Sequence, residues 1–147
     1  MNQQPVSPAL SQGLPLQALD AWGRTVEVPA TFEYDAGDPW AVRITFPADR
    51  GGTATPVRWV VARELLLQGV TEPAGEGDVQ VFPSIDEHGR AAVVMELCSP
   101  DGRLVLQLCT SELHRFLART LAVVPLGAES IDLDRLVDVL VGRSDAQ

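Results

Sequence analysis

The chain has 147 residues, 46% of them apolar, and a net charge of −9 from 20 acidic and 11 basic side chains. That length fits one domain able to bury about two-thirds of its unfolded surface. The charge disfavours a phosphate backbone or an anionic bilayer as partner, and no apolar run approaches the about 18 residues of a membrane span. A protein partner or a small ligand passes both filters. Every basic residue is an arginine, which reads as GC-rich coding rather than as chemistry.

The opening MNQQPVSPALSQG has neither the basic start nor the apolar centre of a secretory signal. It reads as a flexible arm over residues 1–13, leaving 14–147 as one domain. From Arg24 onward Val26, Val28, Ala30, Phe32 and Tyr34 alternate with Thr25, Glu27, Thr31 and Glu33, the period of a half-buried strand. Pro29 cannot donate to a ladder, so this strand is expected to be an edge strand or to bulge there. Alternation resumes with Trp40, Val42, Ile44 and Phe46, all expected in the core.

Between these strands lies YDAGDPWAV. Asp35 and Asp38 invite a metal or acid/base reading. The surrounding chemistry is that of a turn: Asp35 can bond the backbone two residues on, Gly37 supplies a positive φ, and Pro39 extends the residue before it. A calcium loop needs acids at alternate positions and a distal glutamate, which this stretch lacks.

A second alternating run, Val57 to Val61, turns helical over Ala62-Arg63-Glu64-Leu65-Leu66-Leu67, with Gly69 placed as a left-handed stop. PAGEGD follows as a loop. It carries two acids and runs into a strand, so it is no phosphate cradle. The strand covers Val79 to Phe82 and ends at Pro83. Ala91–Cys98 and Arg103–Thr110 form a hairpin. With Cys98 opposite Arg103, Val93, Met95 and Leu97 share a face with Leu104, Leu106 and Leu108. Cys98 and Cys109 then lie too far apart for a disulfide and are expected reduced.

Two helices close the chain. Thr110 or Ser111 caps the first, whose stripe is Leu113, Phe116, Leu117 and Leu121. Asp132 caps the second, with Leu133, Leu136, Val137, Leu140 and Val141 on one face. AVVPLGAES separates them. No internal repeat is evident. Strands first and helices last indicate an α+β fold with an antiparallel sheet. The two histidines, His88 in a turn and His114 beside a helix stripe, have no partner at zinc spacing, and no serine or cysteine sits in a nucleophile elbow. Nothing in the sequence supports an enzyme.

TFEYDAGDPWAVRITF, VRWVVARELLLQGV, PAGEGDVQVFPS and SPDGRLVLQLCTSELHRFLARTLAVVPLGAE occur in this order. Each alone is strand-and-turn chemistry. Together they closely resemble the SsgA-like proteins of sporulating actinomycetes, and among these the SsgB-like branch. The resemblance runs from about Val26 to the last helix; the start of the chain is longer and richer in Pro and Gln than the family pattern. It implies a non-enzymatic protein without cofactor or metal, cytoplasmic and located at the division septum. Its expected partners are the tubulin-like GTPase FtsZ and SsgA-type division proteins, with no nucleic acid and no membrane insertion. The implied architecture is whirly-like: two antiparallel sheets packed together with two C-terminal helices, in a homotrimer. That likeness also suggests single-stranded nucleic-acid binding as a rival function, which the charge and the apolar, core-facing placement of most aromatics disfavour.

The residues expected to meet partners are Gly127 and Pro125, in the connector Val124-Pro125-Leu126-Gly127, and the acidic turn residues Asp35, Asp38 and Asp78. Gly127 is expected to adopt a positive φ and set the angle between the closing helices. Gly127→Asp is expected to disturb septum placement more than folding. The apolar excess on the Cys98/Val94/Val105 face suggests cover by a second sheet or by an oligomer.

Overall fold

The computed structural model describes residues 9–20, 22–47 and 56–130. Eight strands run in chain order: β1 (Ala9–Leu19), β2 (Thr25–Asp35), β3 (Asp38–Phe46), β4 (Val57–Ala62), β5 (Ala74–Glu76), β6 (Val79–Ile85), β7 (Ala91–Ser99) and β8 (Gly102–Cys109). Helix α1 (Arg63–Gly69) follows β4, and α2 (Thr110–Val123) follows β8. The strands form one antiparallel sheet in the order β4-β3-β2-β1-β8-β7-β6-β5. This corrects the expected pair of packed sheets. The α+β class holds, and the second closing helix, from Asp132, lies outside the described residues.

The sheet nevertheless has two halves. Each is a four-stranded meander followed by a helix, and they join through a seam of two residue pairs, Gln17↔Gln107 and Ala18↔Leu106. Beyond Gln17 the strands part, and a groove of about 270 Å³ opens between Pro15-Leu16 and Leu108-Cys109. The sheet curls, so that β4 and β5, at opposite ends of the strand order, line one small cavity with Leu65. Two packed sheets and one curled sheet require the same hydrophobic alternation, and only the seam distinguishes them.

Prolines mark where ladders stop. Pro15 faces Pro29 across β1 and β2, beyond the β8 seam on one side and beyond the β2–β3 ladder, which ends at Thr31↔Thr45, on the other. Pro83 lies inside β6, past the last β5 pair at Val81, rather than ending the strand. A residue without an N–H fits at these positions because, among the described residues, no strand pairs on one side. The arm expected over residues 1–13 overlaps β1, whose ladder with β2 begins at Ala9↔Asp35.

Two hairpins use one device. In Asp20-Ala21-Trp22-Gly23-Arg24 and Asp86-Glu87-His88-Gly89-Arg90 the aspartate Oδ1 accepts two backbone N–H groups. Trp22 and Arg24 donate at 2.9 and 2.8 Å, and His88 and Arg90 at 2.8 and 2.9 Å. Gly23 and Gly89 both have φ 78°. The Arg90 N–H, against some desolvation and aided by the His88 N–H, holds the Asp86 carboxyl below its ordinary range. Thus a short Asp-x-x-Gly-Arg repeat exists, where the sequence reading expected none.

The β7–β8 register is the expected one, with Cys98↔Arg103, Met95↔Leu106 and Val93↔Leu108. Leu113, Phe116 and Leu117 of α2 pack on this face, and Phe116 meets Phe32 edge-on at 5.5 Å. Cys98 and Cys109 are both free thiols. Val94 is 6% exposed within the single chain, so its burial does not argue for an oligomer.

Gly69 plays another part than expected. It is the last residue of α1 and is not among the glycines with positive φ. A Cβ there would fall 2.2 Å from Val81 Cγ1. The helix lies so close to β6 that only glycine fits.

Candidate functional site

The β2–β3 turn begins at Tyr34, the last residue of β2 that faces inward. Asp35 Oδ1 accepts the Gly37 N–H at 2.8 Å, the expected turn bond. The ladder passes from Tyr34↔Val42 to Asp35↔Asp38, leaving residues 39–41 of β3 bulged. The bulge shifts the alternation: Pro39 is buried, while Trp40 is 43% exposed. Trp40 is therefore not the core residue expected, although Val42, Ile44 and Phe46 are. The Tyr34 hydroxyl donates to Pro39 O at 2.8 Å and holds the bulge. Burial pushes the Tyr34 phenol up, with the Arg63 charge opposing.

Arg63 is the first residue of α1 and is 1% exposed. Its guanidinium lies 5.0 Å from the Tyr34 ring centre. Nη1 donates to Thr120 O at 3.2 Å and Val124 O at 2.7 Å, the carbonyls at the end of α2, and Nη2 donates to Glu129 Oε2 at 3.0 Å. A helix end leaves carbonyls without intrahelical donors. A buried arginine with several donors in a fixed fork supplies Val124 O and adds a second bond to Thr120 O, which already accepts the Val124 N–H. Glu129 Oε1 accepts the Gly127 N–H at 2.6 Å. The Glu129 carboxyl is held below its ordinary range by its own backbone N–H first, then by the Arg63 hydrogen bond.

Gly127 has φ 85°, the positive value expected, and its surroundings are open. Pro125 O accepts the Ala128 N–H at 3.0 Å, closing the turn. Pro125, Leu126, Gly127 and Ala128 are exposed. The fold thus joins two segments nominated separately: the connector bearing Pro125 and Gly127, and the turn bearing Asp35 and Asp38. Tyr34 and Arg63 link them, and Asp38 bears electrostatically on the Tyr34 phenol. Asp78 sits on another turn, between β5 and β6, where its carbonyl accepts the Cys98 N–H at 2.9 Å.

Arg63 and Glu129 were not candidates from sequence. The signal for Arg63 was present: it follows inward Val61 by two, the strand period, and precedes Leu66 by three, the helix period. Both periods place a charge on the core side. Glu129 carried no such mark.

His88 is a solvated turn residue and His114 is exposed. Among the described residues no helix is long and apolar enough to cross a membrane. The arrangement around Arg63 fixes an exposed turn to a buried base; it is a geometry for presenting a surface.

Comparison with known proteins agrees with this shape. The family profile described as "Streptomyces sporulation and cell division protein, SsgA" matches residues 28–129. The sporulation-specific cell division protein SsgB of Kineococcus radiotolerans is 47% identical over 81% of this chain and 72% of its own. SsgB of Streptomyces coelicolor is 41% identical over 82% and 86%. A structure solved in work on SsgB, whose mutations correlate with longitudinal cell division during sporulation of Streptomyces coelicolor, superposes with TM-score 0.77. It is 38% identical and covers 86% of this chain and 97% of that one. An SsgA-like sporulation-specific cell division protein of Thermobifida fusca superposes with TM-score 0.75 at 29% identity, over 99% and 100%. With its relatives named SsgB and its fold shared along nearly its whole length, the chain belongs to the SsgA family of sporulation and cell division proteins.

Proposed function

We propose that this protein acts without catalysis, as a homotrimer, marking septum sites and recruiting FtsZ together with SsgA-type division proteins. The cytoplasmic face of the forming septum is its place of action. The observation that carries the reading is the exposed turn Pro125-Leu126-Gly127, held to the core by Arg63 through α2 and Glu129. A loop fixed on a rigid scaffold is a usual seat of recognition. The net charge of −9 supports a protein partner over a single nucleic-acid strand.

Gly127→Asp is the informative variant. A side chain has room there, and the left-handed backbone costs a non-glycine residue on the order of 1–2 kcal/mol. The variant therefore folds and changes the presented turn. The test is co-sedimentation of the purified protein with FtsZ of the same organism, in GTP and in GDP. Pelleting with GTP filaments, lost in Gly127→Asp, is expected. Pelleting in neither nucleotide would reject direct recruitment.

A further inference from the structure

One carboxylate closes the exposed turn, and it has two partners. Glu129 Oε1 accepts the Gly127 N–H at 2.6 Å, while Oε2 accepts from Arg63 Nη2 at 3.0 Å. The other arm of the same guanidinium binds Val124 O at 2.7 Å. Arg63 thereby grips both ends of the 124–129 turn, and Glu129 passes the hold to its glycine. Capping α2 does not account for this. Thr120 O already accepts the Val124 N–H at 2.9 Å, and Glu129 is not needed to satisfy a helix carbonyl. Nor does core packing, because Pro125, Leu126, Gly127 and Ala128 are exposed, Leu126 by 62%. A buried ion pair gains little net stability over apolar residues of similar size. What this pair does fix is the shape of a surface turn.

We propose that Arg63 and Glu129 are positioning residues whose ion pair sets the conformation in which Pro125-Leu126-Gly127 is presented to a protein partner. The proposal deepens the recruitment reading and rests on it. Arg63 is the fixed base, seated between the Tyr34 ring and the end of α2. Glu129 is the jaw nearer the solvent, its side chain 15% exposed.

The test compares the full chain with Glu129→Gln and Gly127→Asp. A glutamine has one oxygen in place of two, which stays with the charged Arg63 donor and turns the amide nitrogen, a donor, onto the Gly127 N–H. In Glu129→Gln the Gly127 amide should exchange with solvent at least about tenfold faster, while amides of β2 and β7 keep their protection. In the organism encoding the chain, with its chromosomal copy replaced, septa should be misplaced as in Gly127→Asp. A wild-type exchange rate at Gly127, or normal septa in Glu129→Gln beside misplaced septa in Gly127→Asp, would overturn the positioning role alone. Normal septa in both variants would overturn the recruitment reading of this turn, and the positioning role with it. If Glu129→Gln does not fold, Glu129→Asp keeps the charge but falls short by about 1.5 Å. Loss of folding in both would make Glu129 a folding residue and refute the proposal.

Discussion

The guanidinium of Arg63 stands 5.0 Å from the centre of the Tyr34 ring, and both side chains are buried. A cation over an aromatic face is attracted to it, more strongly where water is excluded. The pair connects the β2–β3 turn, through the Tyr34 hydroxyl, to the end of α2, through the Arg63 donors. Arg63→Met keeps volume but takes the donor from Val124 O, at a cost on the order of 1–3 kcal/mol for the carbonyl left unpaired, while Thr120 O keeps the Val124 N–H. Tyr34→Phe removes one bond, worth about 1 kcal/mol. Urea unfolding should give lower midpoints in the order Tyr34→Phe, then Arg63→Met, with unchanged slopes. A wild-type midpoint for Arg63→Met would show that the clamp contributes nothing to stability.

Gly69 is a packing glycine. A methyl there meets Val81 Cγ1 at 2.2 Å, so Gly69→Ala should destabilise by about 1–3 kcal/mol through overpacking. Val81→Ala removes the nearest obstructing atom, Cγ1, but leaves Cβ at 2.6 Å, so it relieves the overlap in part. The double variant should therefore lose less than the sum of the two single losses, a coupling that a double-mutant cycle reads directly. Strict additivity would place the cause elsewhere, such as helix propensity.

These two sites show what the sequence could disclose. The alternation marks the inward residues from Ala30 to Tyr34, from Val42 to Phe46 and in β7 and β8, though not Val26, which is exposed. The Cys98↔Arg103 register follows from matching apolar faces. Pro29 read as the mark of an edge strand or a bulge, whereas β2 lies inside the sheet and Pro29 falls where its ladder with β3 has ended. What was not readable depends on contacts far apart in the chain. The β1–β8 seam that makes one sheet of two halves consists of two residue pairs and leaves no periodic trace. Trp40 faces outward because of a bulge, which Tyr34 holds through its bond to Pro39 O. Residues 9–13, the first part of β1, read as arm because prolines and glutamines mask a weak alternation that runs on into the buried Leu14 and Leu16. Gly127 was legible as a turn glycine, whereas its hold by Glu129 and Arg63 joins residues 66 positions apart.

The pH response carries a definite sign. The folded Glu129 carboxyl is depressed below its ordinary value of 4.5 by its own N–H and by Arg63. Its stabilising contribution is therefore complete above about that pH and is lost as pH falls through the lower folded value. Stability curves of wild type and Glu129→Gln should run parallel above pH 4.5 and converge below it. Curves that stay parallel into acid would mean that the carboxylate is not coupled to folding.

The thiols should differ in reactivity. Cys109 is exposed, and hydrogen bonding with Ser111 at 3.1 Å, against some desolvation, lowers its thiol below the ordinary range. The thiolate is the reactive form. A maleimide titration followed by peptide mapping should label Cys109 before the half-buried Cys98. Equal rates would contradict the Ser111 effect.

The turn held by Arg63 is the surface we propose for contact with the division machinery. Amide exchange on the full chain, alone and with FtsZ filaments held in GTP, tests it most directly. The account predicts slowed exchange at Leu126 to Glu129, with a smaller effect at the β2–β3 turn, and no slowing in GDP. Slowing confined to the free edge of β4, with the connector unchanged, would contradict it.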